Sequence, residues 1–106
     1  MPTFLLVPRA EGRADPDWEA SLHDGPCTVS ASDERMARRY ADSAFCLALI
    51  ERRPGQLRPP ASPWSQSRLV RAEQVARDDD ALRPDGVVLI PTGPGDDRFR
   101  VAARVR

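Results

Sequence analysis

The stretch CTVSASDERMARRYADSAF, residues 27–45, decides the fold, because it joins a strand pattern directly to a helix pattern. Residues 27–31 alternate between apolar and polar side chains, which predicts a β-strand with Val29 facing the core and the two hydroxyl residues facing away. Ser32 is followed by two acidic residues, and this order is typical of a helix N-terminus, where exposed N–H groups and the helix dipole favour negative charge. We therefore predict a strand at residues 27–31 and a helix with Ser32 as its N-cap.

The predicted helix is amphipathic. Apolar or small residues recur at intervals of three and four, and arginines occupy much of the opposite face. The apolar pattern continues through residues 47–50, so we expect the helix to end by Arg52 and Arg53, before Pro54 and Gly55 prevent further turns. The core stripe is Met36, Ala37, Tyr40, Ala41, Ala44, Phe45 and Ala48, and the outer face is Arg35, Arg38, Arg39, Asp42 and Ser43.

Three further segments have strand character. Residues 3–7 are a short apolar run that Pro8 ends, and residues 87–90 give the purest strand pattern in the chain, which we expect to be a central strand. Residues 69–75 alternate imperfectly, which leaves a short helix capped by Ser67 as the alternative to a strand. These patterns predict strands on both sides of the helix in the sequence.

The last strand is predicted at residues 98–106, where apolar residues alternate with arginines, so one face is expected to be solvent-exposed and lined by arginine. The predicted fold class is α+β: a four- to five-stranded, mostly antiparallel sheet with one long amphipathic helix packed on one face. At 106 residues the chain fits a single domain. Helix residues Met36, Tyr40, Ala44, Phe45 and Ala48 are expected to meet Leu5, Val7, Val29, Val88 and Ile90.

Both tryptophans lie in proline-flanked loops. Asp-Pro-Asp-Trp ends at Trp18 and Ser-Pro-Trp ends at Trp64. Trp18 and Leu22 are four residues apart, so we expect them to share one face of a helical turn. Two interpretations remain open. The tryptophans either clamp the loops onto a small core, or one of them anchors an interface, since tryptophan often dominates binding energy.

Charge is balanced overall but uneven along the chain. All sixteen basic residues are arginine, a bias typical of a GC-rich genome, and sixteen acidic residues cancel them, which removes the main electrostatic argument for nucleic-acid binding. Residues 34–72 carry eight arginines and three acidic residues, whereas residues 1–33 carry six acidic residues and two arginines. The basic middle segment either pairs internally with the acidic ends or presents a face to an acidic partner.

Residue types that support catalysis and metal binding are scarce. His23 is the only histidine and lysine is missing, which closes most routes to acid–base and covalent catalysis. Cys27 and Cys46 match no zinc spacing and are expected to be buried free thiols, and the acidic run 78–80 lacks the pattern of a calcium loop. We expect a non-enzymatic protein with no cofactor and no metal. Without a membrane span or a signal-peptide pattern, we expect a cytoplasmic location.

The order Val-Pro-Arg, Asp-Pro-Asp-Trp-Glu-Ala-Ser, Gly-Pro-Cys-Thr-Val-Ser and Ser-Pro-Trp resembles small uncharacterised proteins of GC-rich bacteria and their mobile elements. In size and strand-helix-strand character the chain is similar to anti-CRISPR inhibitors, a class without shared motifs, so no functional residue is carried over. We expect a non-enzymatic protein-binding module, an inhibitor of a host complex, that acts by surface occlusion through the arginine-bearing helix face, the last strand and a loop tryptophan. The alternatives are nucleic-acid binding through the same arginines and a homodimer formed through the last strand. The predicted interface residues are Trp18, Arg35, Arg38, Arg39, Trp64, Arg98 and Arg100.

Overall fold

A computed structural model describes residues 1–46, 54–55, 60–75, 84–91 and 99–104, the last of these as backbone. Within these ranges the chain forms one α-helix and five strands. In chain order the elements are β1 (Thr3–Pro8), β2 (Cys27–Ser30), α1 (Glu34–Phe45), β3 (Val70–Val75), β4 (Val87–Pro91) and β5 (Phe99–Arg104), and two short 3₁₀ helices at Ala10–Gly12 and Pro16–Ala20 follow β1.

The five strands form one antiparallel sheet in the order β3-β1-β2-β4-β5. Phe4 lies opposite Val29, and Val29 lies opposite Val88, so apolar residues of three adjacent strands share one face. The helix α1 packs against the sheet. The predicted α+β class is confirmed, and so is the strand at residues 69–75. The strand at residues 87–90 is interior, as β4, although β2 and not β4 occupies the middle of the sheet.

The helix is shorter than predicted at both ends. It begins at Glu34, and the N-cap is Asp33, whose carboxylate accepts a hydrogen bond from the Met36 N–H at 2.8 Å, so the prediction of Ser32 was wrong by one residue. At the other end Cys46 is extended and forms a β-bridge with Ser21. This long-range pairing ends α1, and the predicted continuation through residues 47–53 lies outside the described residues.

The core forms between α1 and one face of the sheet. Phe4 and Leu6 are buried there, whereas Leu5 and Val7 are half-buried on the other face, so the predicted contacts of Leu5 and Val7 with the helix were wrong. A continuous apolar run has no alternation that selects a face, and pairing with β2 makes the selection. The central cluster contains Phe4, Leu6, Val29, Ala37, Tyr40, Ala41, Phe45, Val88 and Ile90, with Met36 and Ala44 packed at its margin.

The middle strand is covered on both faces. Thr28 and Ser30, which the alternation placed outward, are fully buried between the neighbouring strands. The Ser30 hydroxyl donates to the Pro84 carbonyl and accepts from the Val87 N–H at 3.2 Å. The Thr28 hydroxyl has no hydrogen-bond partner among the residues that the structure describes. No helix built from the described residues is long and apolar enough to cross a membrane.

Candidate protein-binding site

The two tryptophans are structural clamps inside the domain. Trp64 has no exposed surface and Trp18 is 9% exposed, and their rings meet edge to face with centroids 5.6 Å apart. The Trp18 indole N–H donates to the Gly12 carbonyl at 3.1 Å, and that of Trp64 donates to the Ser21 hydroxyl at 2.9 Å. A buried indole offers no surface to a partner. Of the two interpretations, the burial of Trp18 and Trp64 therefore supports the one in which they hold the loops on the core.

An aromatic cluster extends from Trp64 to the end of α1. The Phe45 ring lies 5.3 Å from the Trp64 ring, and the His23 imidazole stacks parallel to Trp64 at 6.3 Å and contacts Phe45 at 4.8 Å. His23 Nε2 lies 3.0 Å from the Pro26 carbonyl oxygen. Rings from two loops and the helix thus pack on one another, which fixes the position of the loop around His23.

A buried carboxylate joins the same two loops. Asp17 Oδ1 accepts from the Ala61 N–H at 3.1 Å, and Oδ2 accepts from Gln66 Nε2 at 2.9 Å. The Arg68 guanidinium lies 3.4 Å from Asp17 and 2.8 Å from Asp15. Hydrogen bonds from Arg68 and from the Asp17 N–H lower the pKa of Asp15. This network pairs the acidic first segment with an arginine of the basic middle, as the internal-pairing alternative expects.

Arg38 belongs to the same packing and not to the outer face. It is buried, its Nε lies 3.1 Å from Glu34, and one of its terminal nitrogens donates to the Trp64 carbonyl at 3.2 Å. Arg38 was predicted as an interface residue, and the structure places it under the loop that carries Trp64, which covers this side of α1. The amphipathic pattern could not reveal that covering loop.

Arg35 and Arg39 do lie on the surface. They are exposed and four residues apart on α1, so they share one side of the helix, which Ser43 continues. Neither makes an ion pair or side-chain hydrogen bond with another residue in the described ranges. Arg100 lies in the edge strand β5, opposite Ile90 in the register, and Arg98 lies outside the described residues. Of the predicted set, the structure brings Arg35 and Arg39 together as a surface pair.

Leu22 is the surface residue that the sequence interpretation missed. The 3₁₀ helix of Trp18 ends at Ala20, so Leu22 does not share a helical face with Trp18, and Leu22 is 75% exposed. Its backbone is fixed nonetheless, because the Leu22 N–H donates to the Phe45 carbonyl at 2.8 Å. Among the residues that the structure describes, Leu22 is the only large apolar residue that is exposed to solvent. A single leucine in a polar loop gives too weak a signal for prediction.

Both thiols are free and poorly suited to nucleophilic chemistry. Cys27 is buried and Cys46 is half-buried, as two unpaired cysteines. Burial raises the pKa of each thiol to about 12, and a hydrogen bond with Asp42 contributes for Cys46. Both therefore remain protonated at neutral pH. Among the described residues, no group of three or more metal-ligating side chains is present.

No protein-family model, no curated protein and no solved structure matches this chain. The described geometry therefore leaves two candidate surface features. One is the exposed Leu22 on a clamped loop, bonded to the last residue of α1. The other is the Arg35–Arg39 pair, which begins in the first turn of the helix.

Proposed function

We propose that this protein is a non-enzymatic protein-binding module that inhibits a host complex by occluding part of its surface. The observation that carries the proposal is Leu22, an exposed apolar side chain on backbone tied to the end of α1. The loop before it is immobilised by the buried Trp18–Trp64 pair and by the Asp17 network. A loop already ordered in the free protein loses little conformational entropy on binding, and an apolar residue at its tip suits the dry centre of an interface.

The Arg35–Arg39 pair indicates which charge to expect on the surface of the partner. Two exposed guanidinium groups on one side of a helix favour an acidic patch on the partner, which increases the association rate more than the final affinity. Arg38, between them in sequence, is already paired with Glu34 and adds little to this surface. We therefore expect a partner that combines an apolar pocket for Leu22 with acidic residues.

The state of the ionisable groups supports a non-enzymatic role. The raised pKa values of Cys27 and Cys46 keep both thiols protonated, and a neutral thiol is a weak nucleophile. The His23 ring is stacked on Trp64, with Nε2 next to a backbone carbonyl. In the described part of the fold, these three side chains contribute to packing.

Nucleic-acid binding is the second candidate, and the exposed Arg35–Arg39 pair is the observation that favours it. Against it, Arg9 bonds the Ser67 carbonyl, and Arg38 and Arg68 are committed to internal partners. The two candidates predict different salt dependence, because phosphate contacts release counterions and weaken steeply as salt is raised. An interface centred on Leu22 depends less on salt.

The test is capture of partners from a lysate of the native organism with immobilised protein, with and without nuclease. The variants are Leu22→Asp and, as a matched control, Ala14→Asp, which adds the same charge at another exposed loop position. We expect a nuclease-resistant protein that wild type and Ala14→Asp recover and Leu22→Asp loses. Equal recovery by Leu22→Asp would contradict the proposed site. Nuclease-sensitive recovery, lost in an Arg35→Glu/Arg39→Glu variant, would support the second candidate instead.

A further inference from the structure

We infer that two copies of this chain associate edge to edge through β3, in one antiparallel register. In that register Ala72 lies opposite Ala72 of the second copy, and Arg71 lies opposite Glu73 in both directions. This association differs from the homodimer through the last strand that the sequence suggested, and it does not depend on the proposed function.

The strand β3 lies at one edge of the sheet. It ends the sheet order, with β1 as its neighbour on one side and no strand of the described ranges on the other. Arg71, Glu73 and Gln74 are exposed, and the strand alternates charged residues on one face with Ala72 and Gln74 on the other. An edge strand of this kind presents unpaired N–H and C=O groups to another strand.

The register of β1 and β3 shows which backbone groups point outward. The Arg9 N–H donates to the Leu69 carbonyl at 2.8 Å, which continues the pairing of Val7 with Arg71. Hydrogen-bonded and non-hydrogen-bonded pairs alternate in an antiparallel ladder, so Arg71 and Glu73 direct their backbone groups toward β1. The intervening Ala72 and Gln74 direct theirs to the outside.

The other neighbour of β1 supports the same assignment. The Ala31 N–H donates to the Pro2 carbonyl at 3.0 Å. Even-numbered residues of β1 therefore bond toward β2 and odd-numbered residues toward β3, as the alternation requires. At the start of β3 the Val70 N–H is already bonded to the Gln66 carbonyl, which leaves the Val70 carbonyl for an outside donor.

These outward groups limit how a second copy can pair. Each Ala72 N–H donates to the Ala72 carbonyl of the other copy, and each Gln74 N–H donates to the opposite Val70 carbonyl. In this arrangement Arg71 and Glu73 form the non-hydrogen-bonded pairs, whose side chains approach most closely. Two reciprocal charge pairs then flank the two-fold axis.

The charges exclude the neighbouring registers. Sliding one strand by two residues puts Arg71 opposite Arg71 or Glu73 opposite Glu73, and directly opposed like charges are destabilising. Within one copy Arg71 and Glu73 already form an ion pair of 2.9 Å, so both charges lie on one face of the strand. Because the contact uses the same strand from each copy, it closes as a dimer with one sheet running through both copies.

The test is the mass of the full chain by sedimentation equilibrium up to about 1 mM, the range in which weak dimers form. We expect the weight-average mass to rise with concentration toward twice the 11.8 kDa of one chain. Ala72→Pro removes an outward N–H and leaves the ladder to β1 intact, a position where an edge strand tolerates proline. This variant should keep its circular dichroism and melting temperature and remain a monomer.

Charge reversal tests the register. Arg71→Glu alone and Glu73→Arg alone each create two like-charge pairs and should weaken the dimer about tenfold or more. An equal mixture of these two variants restores opposite charges at every pair, so it should form a heterodimer, and the double exchange Arg71→Glu/Glu73→Arg should recover the homodimer. A wild-type chain that stays monomeric, or a dimer that these variants leave unchanged, would overturn the inference.

Discussion

Replacing Trp64 by alanine tests whether the loops are clamped as described. The ring is fully buried, and truncation of a buried tryptophan costs about 3–5 kcal/mol of the free energy of unfolding. The lost edge-to-face contact with Trp18 and the lost hydrogen bond to Ser21 place the expected value in the upper part of that range. A domain of this length is stable by about 5–15 kcal/mol in total, so Trp64→Ala should fold with a small margin or fail to fold.

Urea unfolding followed by far-ultraviolet circular dichroism measures the effect without relying on tryptophan fluorescence. Trp64→Phe keeps a ring in the cluster and loses the indole N–H, so it should cost about 1–2 kcal/mol. The control is Leu22→Ala, a change at an exposed side chain that should stay within about 0.5 kcal/mol of wild type. A loss below about 1 kcal/mol for Trp64→Ala, or an equal loss for Leu22→Ala, would refute the clamp.

Three further predictions concern single polar groups. Thr28→Val replaces a buried hydroxyl that lacks a hydrogen-bond partner among the described residues, so the melting temperature should rise. Thr28→Ser keeps the hydroxyl and loses a methyl group, so it should lower the melting temperature. A lower melting temperature for Thr28→Val would show that the hydroxyl does have a hydrogen-bond partner. The pKa of Asp15 is lowered in the fold, so the ionised carboxylate stabilises the folded state above pH 3.8, and this stabilisation is lost as pH falls through the folded pKa. Arg68→Ala should therefore make the free energy of unfolding fall less steeply between pH 5 and pH 2, measured by urea titration. An unchanged slope would exclude Arg68 as the cause. With its pKa raised to about 12, Cys46 should react with iodoacetamide at pH 8 at least about a hundredfold more slowly in the native than in the unfolded chain, and equal rates would contradict its burial.

Local patterns predicted the elements of this fold well where a single segment contained the information. The alternation around Val29 and the capping acids near Asp33 fixed a strand and a helix start to within one residue. The end of α1 depends on pairing between Cys46 and Ser21, which are far apart in sequence, and no pattern within the helix reveals it. The choice of Leu6 over Leu5 for the core likewise depends on the register with β2.

The candidate site was harder to predict, because exposure is a property of the assembled domain. Arg38 and Arg39 are adjacent and chemically identical, yet one lies under the Trp64 loop and the other faces solvent. Arg68 and Asp17 are 51 residues apart in the sequence, so the uneven charge could not be resolved into internal and surface parts. The exposure of Leu22 depends on the end of the 3₁₀ helix at Ala20 and on the extended backbone of Ser21, which no local pattern indicated.

The most direct test of the central claim is a photo-crosslinking measurement in the native organism. A photoreactive phenylalanine analogue is placed at position 22 and, as a control, at position 14, which is exposed on the preceding loop. A protein that binds around Leu22 predicts a discrete protein adduct from position 22 that is absent or much weaker from position 14. No protein adduct from position 22, or equal adducts from both positions, would contradict the proposal that this clamped loop is a protein-binding site.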